Sequence, residues 1–250
     1  MPAMAQGGMS SGPNTMKPAS FDSILSAAGK QIPAKAMDKI KTIENELAAI
    51  RDSSQMAVVF IQLAQVWEEN KQLPVAGYYS AKAAKLENSK KMLNFAGQFF
   101  LERTGETNST QLQLWELAQA EECFQKGMEL DKENDTAQIG LATVYVARGE
   151  TMKGVGMLRD ITQKHPDNIP ANMMLGRLSI QSGQFDKAIA RFEAILKLEP
   201  NNVDALLYLG EAYEGKGEKD KAIEIYNKSK EIVNDPGFIK SIDQHINSLK

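Results

Sequence analysis

IPANMMLGRLSIQSGQFDKAIARFEAILKLEPNN, residues Ile169–Asn202, is a 34-residue stretch that the chain repeats. It carries a Leu175-Gly176 pair, Gly183, a small Ala188, an aromatic Phe192 and a closing Pro200. Starting instead from Val203, Leu209-Gly210, Ala222 and Tyr226 fall at the same offsets, with Tyr213 between them. Starting from Asp135, Leu141-Ala142, Gly149, Leu158 and Pro166 do so too, with Tyr145 and Ile161 marking the same helices. Self-similarity at a fixed period of this length is the signature of a stacked array of small units, each unable to bury its apolar face alone.

The residue types explain the stacking. Gly or Ala at the eighth place of each unit (Ala64, Ala142, Gly176, Gly210) allows close helix approach, and the large residues around it fill the contact. Gly149, Gly183 and Gly217 fall at the turn inside each unit, where a left-handed backbone costs glycine nothing. One fully buried Leu, Phe or Tyr contributes roughly 1.5–3 kcal/mol. A single unit cannot offset its ordering entropy with a handful of these; stacked units can.

This pattern of small and large residues resembles the tetratricopeptide repeat, a helix-turn-helix unit. The chain departs from it at the fourth place, where the family favours Trp and Gln138, Asn172 and Leu206 stand here. The resemblance implies an all-α, right-handed α-solenoid of about five such units with N- and C-terminal capping helices. Composition and repeat style look bacterial.

Read in order, residues 1–20 are rich in Gly, Ser, Pro, Ala and Met with one charge, Lys17, and are expected to form a disordered tail. Residues 21–56 hold N-terminal helices: Phe21, Ile24 and Leu25 share one face of a short helix, and after Pro33 a stripe of Ile40, Ile43, Leu47 and Ile50 marks a second. The array spans 57–236, with units near 57–88, 89–134, 135–168, 169–202 and 203–236. In the first, Leu63-Ala64 and Trp67 keep the phase, and Pro74 suits the first turn of the second helix. The next opens with Phe95-Ala96 and Phe99 but reaches Ala120 and Phe124 late, which places an insertion at about 104–118. Thr110 and Gln113 there read as a capping box. Trp115 in this insertion reads either as an anchor for a partner or as packing on the neighbouring long helix. Residues 237–250, with Ile239, Ile242, Ile246 and Leu249 at helical spacing, read as a C-terminal capping helix.

A formal charge of −3 leaves no basic excess to hold a nucleic-acid backbone, which argues against DNA or RNA as a partner. No apolar run reaches the length of a membrane span, and the polar start lacks a secretory signal. A cytoplasmic location is expected, the alternative being a bacterial periplasm reached through an anchor missing from this chain; the lone Cys123 suits both, since it excludes an internal disulfide.

No catalytic constellation emerges. His165 and His245 lie far apart, Cys123 has no nearby histidine and reads as a packed thiol, and no phosphate-binding loop is present. The expectation is a non-enzyme without cofactor or metal. In the family, first helices line a concave groove. Carrying its inward-facing places over gives Ile139, Thr143 and Val146, then Met173, Arg177 and Ile180, then Leu207, Glu211 and Glu214, with Met174 and Tyr208 beside them. The lysine and asparagine clamp by which chaperone-binding members grip a carboxylate tail is absent at the matching places. An apolar strip on a soluble chain marks a binding surface, so the expected partner is a protein or an apolar or amphipathic peptide, with Arg177, Glu211 and Glu214 setting direction. The alternative is a subunit of a homo-oligomeric or membrane-associated assembly that uses the array ends or the insertion. A third possibility, the groove filled by the N-terminal helices, stays open at this level.

Overall fold

The computed structural model describes residues 16–249, in which thirteen α-helices and no strand occur. Residues 1–15 of the expected tail lie outside the described residues. The helices are α1 Phe21–Gly29, α2 Ala34–Ala49, α3 Ser53–Glu69, α4 Leu73–Leu86, α5 Lys90–Arg103, α6 Thr110–Leu130, α7 Asp135–Ala147, α8 Thr151–Lys164, α9 Ile169–Gln181, α10 Phe185–Leu198, α11 Val203–Lys216, α12 Lys219–Ile232 and α13 Pro236–Leu249. The chain forms two compact units that meet in sequence between Lys132 and Glu133.

In the first unit, α3 packs on α4 and α5 on α6 as hairpins, with α4 against α5 and α2 against α3. Ile40 and Ile43 of α2 are buried with Leu63, Val66 and Trp67 of α3. Helix α1 rests on α4. Its Phe21 ring stacks 3.6 Å from the Tyr78 ring and 6.2 Å from Trp115, and Trp115 meets Phe100 edge-on at 5.6 Å. Trp115 is therefore a core residue, 5% exposed, that joins α6 to α1, α4 and α5. The backbone N–H of Ala19 donates to the Gln111 carbonyl at 2.9 Å and fixes the approach to α1.

Two local readings of this unit change. The N-cap of α6 is Ser109, whose hydroxyl accepts from the Leu112 N–H, so the reciprocal cap expected of Thr110 and Gln113 does not form. Gln113 lies one residue too far on; its Nε2 donates instead to the carbonyls of Thr104 and Thr107 and ties down the loop before the helix. The phase of α5 also shifts by one residue. The small residue at its seam is Gly97, where a Cβ would stand 2.7 Å from the Phe124 ring, rather than Ala96. As a result Phe100 is buried and Phe95 is 73% exposed.

The second unit holds three regular hairpins, α7/α8, α9/α10 and α11/α12, followed by α13 on α12. Each first helix is N-capped by an asparagine: Asn134, Asn168 and Asn202 accept from the N–H of Ala137, Ala171 and Ala205. Gly149, Gly183 and Gly217 adopt φ of +86°, +70° and +87° at the inner turns. The seams are close: a Cβ on Gly176 would lie 2.5 Å from the Phe192 ring, and one on Gly210 2.5 Å from Tyr226. Ile246 and Leu249 of α13 bury against Ala222 and Tyr226 and cover the last hairpin.

Candidate peptide groove

In the second unit the N-caps fix the starts of α7, α9 and α11, and each of these helices packs on its own second helix. The expected groove residues divide along these helices. Ile139 and Met174 lie half-buried against Ala142, Leu158, Ile161, Ala171 and Leu175. Thr143 stands between them, its hydroxyl 2.8 Å from the Ile139 carbonyl and 3.2 Å from the Met174 sulfur. Val146 lies over Gly154, where a Cβ would come within 2.7 Å of its Cγ2. Met173 packs on the cluster of Ala188, Phe192, Ala205 and Leu209. These residues spend much of their surface on packing between units of the repeat.

Five others surround a cleft of about 770 Å³: Ile180, Leu207, Tyr208, Glu211 and Glu214 line it together with Phe185, Asp204, Gly215, Tyr226 and His245. Ile180, Phe185, Leu207 and Tyr208 supply a half-exposed apolar wall. The Tyr208 ring stacks on buried Phe192 at 5.7 Å, and the Arg177 guanidinium sits 5.2 Å above the Tyr208 ring, outside the cleft lining. Gly215 opens the cleft because a Cβ there would strike the Phe185 ring at 2.3 Å.

Three carboxylates, Asp204, Glu211 and Glu214, face this space against one histidine. Glu214 is held in place: its Oε2 accepts from the Tyr226 hydroxyl at 3.2 Å and lies 2.9 Å from His245 Nε2. Burial raises the Tyr226 hydroxyl pKa, and the negative charge of Glu214 and its hydrogen bond raise it further, so the phenol stays a neutral donor. The amino-acid sequence does not mark Phe185, Tyr226 or His245 as groove residues, although the repeat phase places Tyr226 at a helix seam. Phe185 and Tyr226 belong to second helices, which do not line the groove in the family pattern, and His245 arrives from the capping helix. No local motif marks them; only the close approach at Gly210 and Gly215 brings the two rings to the surface of the cleft.

Residues 173–237 match the family model described as tetratricopeptide repeat. Among solved structures, the type IV pilus biogenesis factor PilW is similar with a TM-score of 0.56 and 16% identity, over 88% of this chain and 97% of that one. A tetratricopeptide repeat protein from Parabacteroides merdae gives 0.58 and 18%, over 78% and 73%. MamA from Desulfovibrio magneticus, residue 41 to the end, gives 0.53 and 19%, over 74% and 97%. At these identities the likeness establishes the fold. No curated protein matches the chain.

Residues 173–237 thus carry tetratricopeptide repeats, and the described residues as a whole have an all-α helical-repeat fold like that of the solved tetratricopeptide repeat proteins. Such modules are in general non-catalytic. No helix among the described residues is long and apolar enough to cross a membrane.

Proposed function

We propose that the second unit binds an apolar or amphipathic peptide segment of a partner protein along its first helices, with the cleft beside α11 as the principal contact. The observation that carries this reading is the cleft itself. It joins a half-exposed wall of Ile180, Phe185, Leu207 and Tyr208 to an acidic margin of Asp204, Glu211 and Glu214. An apolar wall left partly in water gains from being covered, at about 25 cal/mol per Å². The carboxylates favour a segment whose apolar residues are flanked by Lys or Arg, and they fix its direction. Met173 and Met174 extend the surface toward α7 with side chains that adapt to different shapes.

A synthetic peptide library presented to wild type and to Leu207→Glu tests this. Wild type is expected to enrich peptides with an aromatic or aliphatic residue next to a cation, and the variant to lose that enrichment while keeping its helical content and melting temperature. Equal enrichment by the two proteins would overturn the proposal.

A further inference from the structure

A second pocket in the same unit has the opposite character. It encloses about 320 Å³ between the start of α8, the end of α9 and the start of α10. Its charged lining residues are Arg159, Lys187 and Arg191, and no Asp or Glu is among the residues that line it. Three carboxylates close in sequence to the lining residues are engaged elsewhere: Asp186 with Lys216 at 2.8 Å, Glu193 with the Tyr213 hydroxyl at 3.0 Å, and Glu150 with Lys153 at 3.6 Å. Among the described residues no ion pair joins Arg191 to a carboxylate, and its guanidinium meets Asn172 instead. The Arg191 pKa is lowered, first by partial burial and then by the positive charge of Arg159. A half-buried cation beside the positive charge of exposed Arg159 is stabilised by an anion nearby.

Arg191 is also positioned. Its Nη1 donates at 3.0 Å to Oδ1 of Asn172, which is 7% exposed. Asn172 is fixed in turn, because its Nδ2 donates to the carbonyls of Pro166 and Asn168. The departure from the repeat pattern at this place thereby has a physical role: where Leu206 fills the matching corner of the next hairpin with apolar volume, Asn172 orients a cation. Lys187 is oriented as well, donating to Gln184 Oε1, while Gln184 Nε2 donates to the Ser182 hydroxyl. The apolar part of the lining is Val155, Leu175 and Leu178 with exposed Met152 at the edge, and Thr151 and Ser179 add two hydroxyls.

We propose that this pocket binds an acidic side chain of a partner peptide, with an apolar neighbour of that residue seated on Met152, Val155 and Leu178. The guanidinium groups supply paired donors to a carboxylate, and the apolar wall distinguishes a peptide side chain from a free inorganic anion. The site is separate from the acidic cleft and does not depend on it.

Fluorescence anisotropy of the full chain with an end-blocked peptide of alternating Leu and Glu, and with its Leu-Gln counterpart, reads this directly. The Glu peptide is expected to bind at least about tenfold more tightly than the Gln peptide, and Arg191→Gln or Arg159→Gln to weaken it by about tenfold. Each Arg→Gln change is expected to flatten the dependence of affinity on salt. Asn172→Leu keeps both charges, so it is expected to weaken binding severalfold with the salt dependence unchanged; thermal melts establish that each variant is folded. Equal affinity for the Glu and Gln peptides, or unaltered affinity in folded Arg191→Gln, would overturn the proposal. So would binding of inorganic phosphate with none of the Leu-Glu peptide, which would assign the pocket to a free oxyanion.

Discussion

The two units meet the same requirement, burial of amphipathic helices, with different side chains. In two of the three hairpins of the second unit the seam is one glycine against one ring, Gly176 beneath Phe192 and Gly210 beneath Tyr226, and in α7/α8 it is Gly154 against the Ala142 backbone and Val146. In the first unit, the glycine-ring seam occurs at Gly97 and Phe124, but it is joined by an aromatic cluster of Phe21, Tyr78, Tyr79, Phe100 and Trp115 drawn from four helices. The first unit also buries a charge. Glu116 is fully covered, paired with Arg103 at 3.1 Å through one oxygen, and its other oxygen has no partner. A periodic seam gives a regular surface that can be offered to a ligand; a cluster assembled from separate helices gives a specific core and no periodic face.

The largest effect that sharpens this contrast is expected from Phe100→Ala, which empties a fully buried site in the aromatic cluster and is predicted to cost about 3–5 kcal/mol in denaturant unfolding. A loss below about 1 kcal/mol would show that the cluster is not the core of the first unit.

In the second unit, Gly210→Ala places a methyl 2.5 Å from the Tyr226 ring and is predicted to cost about 1–3 kcal/mol. Gly156→Ala on α8, where a Cβ meets nothing within 4 Å, is predicted to stabilise by up to about 1 kcal/mol. Similar results for the two would refute the seam.

The buried carboxylate predicts a pH response for the first unit. Burial raises the Glu116 pKa from 4.5 to about 7, against the opposing pull of Arg103. A raised carboxylate binds its proton more tightly when folded, so its contribution is present in full below the unfolded value and is lost as pH rises through about 7. Stability is predicted to fall by on the order of 2 kcal/mol between pH 5 and pH 8 relative to Glu116→Gln, measured as parallel denaturant titrations. Identical pH profiles for the two proteins would exclude this role.

The smallest effect concerns the inner turns. Gly183, φ +70°, is predicted to lose about 1 kcal/mol on change to Ala. The matching turn of the first unit carries Lys71 at φ +59°, so Lys71→Gly is predicted to stabilise by up to about 1 kcal/mol in thermal melts.

The same contrast explains what the amino-acid sequence discloses. Gly176, Phe192, Gly210 and Tyr226 are legible because their partners recur at fixed offsets, and an asparagine cap opens each hairpin of the second unit. The α5 phase was obscured because Phe95-Ala96 imitates the Leu-Gly pair one residue early. Docking of α1 was not legible, since Phe21 and Trp115 are far apart in sequence and share no motif. Of the cleft, the first-helix residues Leu207, Tyr208, Glu211 and Glu214 follow from the repeat, whereas His245 depends on where the last helix lies. The role of Asn172 is visible only once Arg191 is seen beside it.

The groove is tested most directly by amide NMR of the full chain titrated with the peptide most enriched from the library. The account predicts shift changes centred on Ile180, Leu207, Tyr208, Glu211 and Glu214, abolished in folded Leu207→Glu. Shift changes confined to residues of the first unit, or left intact by Leu207→Glu, would contradict it.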